Sequence, residues 1–143
     1  MRRRIRNQRG AALLETAITL PIILLISIGI FEFGRAYQTW QVLTNAAREG
    51  ARVAIISGNN EEHVRTVVRR YMSDGRLTGV DTAMIAINRN VEVAGWASGG
   101  SQVTINYPFQ FIVLNGVARL VQRNSTAGQS LTMQSVALMR NEG

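Results

Sequence analysis

Cysteine and lysine are both missing from the 143 residues, and histidine occurs once, at His63. Without cysteine there is no disulfide framework and no thiolate nucleophile, so any folded part must hold itself together by packing. All sixteen cations are arginine, which reads as coding bias, and the absence of lysine excludes Schiff-base chemistry. A lone histidine cannot build a His-based metal cluster within one chain, and His63 is read as a surface residue. The nine acids are dispersed, and no two stand out as a general acid and base. A nucleotide-binding glycine loop with its lysine is also missing. These absences leave no nameable nucleophile or base. The expectation is a protein that is not an enzyme, with no cofactor, no metal site and no small-molecule substrate.

The net charge of +7 suggests a polyanion partner until it is located. Five arginines fall in the first nine residues, so after Gly10 the chain carries eleven arginines against nine acids, or +2. The basicity belongs to the leader, and no nucleic-acid partner is expected.

What the chain does have is a long apolar run. From Ala11 to Phe31 there are 21 residues whose only charge is Glu15. At ~1.5 Å rise per residue a helix of that length covers the ~30 Å hydrocarbon core of a bilayer. Pro21 is expected to bend this helix without breaking it. The five leader arginines predict a cytoplasmic N-terminus and an outward-facing remainder. A cleavable secretory signal would need a shorter apolar core and small residues at its end. Here the core runs directly into Phe31-Glu32-Phe33-Gly34-Arg35, so an anchor is the preferred reading. Glu15 is the anomaly. An ionisable group inside a span usually marks function, although one turn from the edge its side chain can also snorkel to water.

The order of these pieces is specific: a basic leader ending in Arg9-Gly10, then Ala11-Ala12-Leu13-Leu14, then Glu15 as the fifth residue after the glycine, then an apolar helix. It resembles the processing site of type IV prepilins. Over GAALLETAITLPIILLISIGIFEFGRAYQTWQVLTNAAREGARVA the chain further resembles the TadE-like pseudopilins, minor pilin-like proteins of tight adherence (Flp-type) pilus systems. The elements shared are Glu15, Pro21, the Glu32 to Arg35 exit and the block from Asn45 to Arg52. The resemblance implies cleavage between Gly10 and Ala11 by a prepilin peptidase, Glu15 as a recognition and register element, and location in the cytoplasmic membrane. It also implies that the partners are membrane lipid, the peptidase, other pilin or pseudopilin subunits and the assembly machinery.

Beyond the membrane the helical period continues. Trp40, Leu43, Ala47, Ala51 and Ala54 form an apolar stripe, giving one helix from Ala11 to Ser57. Small residues on it let another backbone approach closely. Pro21, Gly29, Gly34, Ala47, Gly50 and Ala51 are the candidate packing positions, against either the domain's own sheet or neighbouring subunits. Asn60 is read as the N-cap of a second helix, with Glu61 and Glu62 in its first turn, Arg69 and Arg70 in its last, and Gly75 following. Val64, Val67, Val68, Tyr71 and Met72 form the buried stripe of that helix. From Leu77 the period shortens, and Thr82 to Asn88, Gln102 to Tyr107 and Ser130 to Met139 read as strands. Trp96, in the glycine-rich connection, is expected to fold back onto the sheet. The apolar run Phe109, Phe111, Ile112, Val113, Leu114 reads as core, or as a partner or membrane-surface site if exposed.

The expected fold is therefore α+β. A single N-terminal transmembrane helix extends into a long amphipathic helix packed on a small antiparallel sheet, as in pilins. The expected organisation is a basic leader at 1–10, a span at 11–34 and an outward domain at 35–143. The competing reading is a single-pass sensory or ligand-binding protein that keeps its leader.

Overall fold

The computed structural model describes residues 8–96, 99–113, 115–116 and 130–141. Helix α1 runs unbroken from Gln8 to Ala54, through Pro21, and α2 covers Glu61–Asp74. A 3-10 turn at Thr82–Met84 leads into β1 (Ile85–Val91), followed by β2 (Gly100–Phe109) and β3 (Leu131–Arg140). The three strands form one antiparallel sheet in the order β1-β2-β3, with Ile105 opposite Ile85 on one side and Ser135 on the other. This is the expected α+β arrangement.

At 47 residues, α1 is ~70 Å long. Its C-terminal end comes three residues before the expected Ser57, because the chain turns at Ile55. The Ile56 amide bonds to the Val53 carbonyl, the side-chain amide of Asn59 donates to the same oxygen, and Gly58 sits at φ 91°. This tight cap supplies partners for carbonyls that the helix end leaves open.

The C-terminal part of α1 lies across β2 and β3, with α2 beside it. Leu43, Ala46, Ala47, Ala51 and Ala54 are buried together with Val64, Val68 and Met72 of α2 and Val103, Ile105 and Tyr107 of β2. Gly50 marks the closest approach of three elements. A Cβ there would stand 2.4 Å from Val68 Cγ2 and 3.3 Å from Val103 Cγ1.

Along β2 burial alternates as the sequence implies, with Val103, Ile105 and Tyr107 inward and Gln102, Thr104 and Asn106 on the opposite face. The Tyr107 hydroxyl donates to the Thr78 carbonyl at 2.9 Å, and Arg65 of α2 donates to the Thr82 and Ile85 carbonyls at the entry to β1. Trp96 does fold back: it is half-buried and its ring lies over Gly100.

Several expectations need correction. Trp40 is 47 % exposed and stacks beside Tyr37 at 6.2 Å, because the buried stripe at this height is carried by Thr39 and Leu43 on a different face of α1. Tyr71 is 40 % exposed, while Val64, Val68 and Met72 form the buried row of α2 at a strict four-residue spacing. Arg69 and Arg70 lie one turn before the end of α2, whose last turn has no basic residue. Strand β1 starts at Ile85, not Thr82, since the Met84 amide bonds back to the Asp81 carbonyl and closes a turn there.

Candidate functional site at the helix ends

The N-terminal part of α1 is a bare apolar rod. Every side chain from Gly10 to Ser27 is exposed, and α1 is the one helix among the described residues long and apolar enough to cross a membrane, with an 18-residue window of mean hydropathy 2.2 and none of it buried. A surface of that extent is unstable in water and must be covered by lipid or protein. Two hydroxyls within it are satisfied locally: Thr16 donates to the Ala12 carbonyl and Ser27 to the Ile23 carbonyl, each at 2.9 Å.

Gly10 lies on this rod with nothing within 4 Å of where a Cβ would be. Ala11 and Glu15, four residues apart, share one helix face, and both are exposed. Pro21, Gly29 and Gly34 are on the same rod, and neither glycine meets another part of the domain. Ala47, Gly50 and Ala51 are buried inside the domain. The structure therefore separates the sequence-derived site residues into two groups. From Glu15 to Ala47 the helix rises ~48 Å, so the end that carries Gly10, Ala11 and Glu15 does not meet the packed stripe.

At the junction between rod and domain stands a residue that the sequence did not single out for burial. Glu32 is completely buried. Its Oε1 accepts from the Val113 amide, and its Oε2 accepts from Arg35 Nη2 at 3.2 Å. The same Arg35 nitrogen donates to the Gln110 carbonyl, and the guanidinium lies 4.9 Å from the centre of the Phe109 ring. Phe111 packs edge-on to Phe109 at 5.2 Å and to Phe33 at 6.1 Å. One turn of α1 thus grips the 109–113 segment through a carboxylate, a guanidinium and a ladder of three rings. The local signal was the Glu-Phe-Gly-Arg spacing, which places Glu32 and Arg35 on neighbouring turns. The decisive partner is a backbone amide 81 residues away, which no side-chain pattern can announce.

The apolar run after Pro108 divides accordingly. Phe109 is buried and Phe111 half-buried, whereas Ile112 and Val113 are exposed at 65 % and 37 %; Leu114 lies outside the described residues. Beside them opens a cleft of about 530 Å³ whose lining includes Arg35, Gln38, Arg76, Thr78, Gln110 and Ile112. Arg76 adopts a left-handed backbone at φ 63°. Arg35 is already paired with Glu32, and Arg76 is the second cation of the lining.

Comparison with the curated proteins gives no match, and neither does comparison with solved structures. A family model does match, and it covers the rod, its buried exit and most of the packed stripe of α1: residues 10–52, about a third of the chain, are similar to the TadE-like protein family.

Proposed function

We propose that the chain is a minor pseudopilin-type subunit of a tight adherence (Flp-type) pilus machine. In this reading its N-terminus is cytoplasmic, its α+β domain lies outside the cytoplasmic membrane, and a prepilin peptidase cuts it after Gly10. Its role is assembly or initiation of the filament, and it is not an enzyme. The observation that carries this reading is the TadE-like match over residues 10–52, because that one continuous helical stretch holds Gly10, Glu15, Pro21, the Glu32 to Arg35 exit and the Asn45 to Arg52 block. The open surroundings of Gly10 and the uncovered apolar rod support it, since a protease needs access to the first and partner subunits need the second.

Cutting after Gly10 frees the α-amine of Ala11, a cation with a pKa of about 8 in water. The Glu15 carboxylate is four residues along the same helix, near enough for the two charges to interact within one subunit and between subunits offset along a filament. In a low-dielectric setting that attraction far exceeds its value in water, while a lone charge is costly, so the pair favours one register. Glu15→Gln preserves size and removes the charge. The expected outcome is normal insertion and cleavage but poor co-purification with other pilus subunits and reduced piliation. Normal piliation and subunit recovery at matched protein levels would remove Glu15 from the register role.

A further inference from the structure

The 110–113 turn is held at the height of Glu32 by its bond to that carboxylate, and residues Phe31 to Arg35 occupy only ~6 Å along α1. If α1 spans the membrane, this height coincides with the interfacial layer that flanks the ~30 Å hydrocarbon core. Two further observations bear on what covers the turn. Ile112 and Val113 expose apolar side chains at the height of Phe31 and Phe33, both 65 % exposed, and Phe33 touches Phe111 of the same segment, so apolar surface continues from the rod to the domain. The polar backbone of the turn is also matched from within: Glu32 accepts from Val113 and faces the Ile112 amide, and Arg35 donates to the Gln110 carbonyl. That is the condition for irregular backbone to approach hydrocarbon, where water cannot satisfy it. The cleft with Arg35 and Arg76 opens next to Ile112, at the level of lipid phosphates, and Tyr37 and Trp40 lie exposed one to two turns farther out, as interfacial aromatics do.

We propose that the 110–113 turn is a second membrane contact, in which Ile112 and Val113 enter the outward-facing leaflet and the Glu32–Arg35 clamp fixes the domain's orientation to the bilayer. The occupant of this surface is phospholipid. The proposal rests on reading α1 as a span, and the test separates the two.

Because the chain has no cysteine, single spin labels can be placed at Ile112→Cys, at Ile23→Cys within the rod and at Glu62→Cys at the start of α2. The full-length protein is reconstituted in vesicles of phosphatidylethanolamine and phosphatidylglycerol. Collision of each label with oxygen and with a water-soluble nickel chelate then reports its depth. The expected result is an oxygen-to-nickel ratio at 112 several-fold above that at 62 and below that at 23. A lipid-like ratio at 23 with a water-like ratio at 112 overturns the second contact and leaves the span standing. A water-like ratio at 23 overturns both. A label at 112 shielded from both reagents, and broadened by a neighbouring label in proportion to protein density, assigns the surface to another copy and also overturns the proposal.

Discussion

Glu32 shows how one side chain can settle a geometry that the sequence leaves open. A fully buried carboxylate is stabilised only while its partners remain, and here those partners are Arg35 and the Val113 amide. Glu32→Gln keeps an acceptor for Val113 and loses the charge-assisted bond, at a cost of about 1–2 kcal/mol. Arg35→Leu leaves the carboxylate buried without its cation and should cost more, about 2–3 kcal/mol, restrained because Arg35 is 31 % exposed and solvent reaches it. Combining the two should recover part of the loss. Thermal unfolding in detergent of the two single variants and the double variant checks this order. A Glu32→Gln variant less stable than Arg35→Leu would contradict the assigned roles.

A second residue-scale prediction concerns Glu49, whose carboxyl is lowered from its ordinary 4.5 chiefly by the hydrogen bond from Arg52, against an opposing contribution from burial. A carboxyl lowered in the folded state adds stability that is fully present above its unfolded value and is lost as pH falls through the folded value. The stability difference between the native chain and Arg52→Gln should therefore be seen at pH 7 and vanish well below 4.5. It should be small and removed by salt, since Arg52 is 64 % exposed. A difference unchanged at low pH would show that Arg52 acts by something other than this pair.

Among elements, α1 does two jobs with one continuous helix, and its glycines report which job each turn performs. Gly50 sits where α1, α2 and β2 converge, and an added methyl would collide with Val68, a stiff β-branched side chain itself fully buried. Gly50→Ala should destabilise the domain by about 1–3 kcal/mol through overpacking, despite alanine's better helix propensity of about 1 kcal/mol. Gly34→Ala, with nothing within 4 Å, should leave the melting temperature unchanged or slightly raised. Equal effects at the two positions would contradict the packing described.

Elements with strong local chemistry were legible in the sequence. Asn60 does cap α2, its side chain accepting from the His63 amide at 2.8 Å, and the alternation from Val103 to Tyr107 locates β2 and its inward face. What escaped was decided by distant chain. Tyr71 fits the α2 pattern, yet the core-facing row falls on Val64, Val68 and Met72 and leaves Tyr71 at its edge, and Trp40 fits the α1 stripe while Thr39 and Leu43 carry its buried face. Thr82 to Met84 have strand-like composition but are closed into a turn by a backbone bond to Asp81. The N-terminal candidates, Gly10, Ala11 and Glu15, were read from local order alone. The Glu32 clamp needed the fold.

At the scale of the molecule, an uncovered apolar rod and a modest α+β domain share one continuous helix, and Glu32 and Arg35 tie its exit turn to the 110–113 segment. Such a construction suits a subunit that must be inserted, trimmed and then handed to an assembly of like helices. Intact-mass measurement of the protein purified from its native host tests the proposed processing after Gly10. The expected N-terminus is Ala11, and Gly10→Val is expected to retain Met1 to Gly10 because a β-branched side chain fits poorly where only the smallest residue is expected to enter the peptidase. A native protein that keeps its leader in a host with an active prepilin peptidase would contradict that processing.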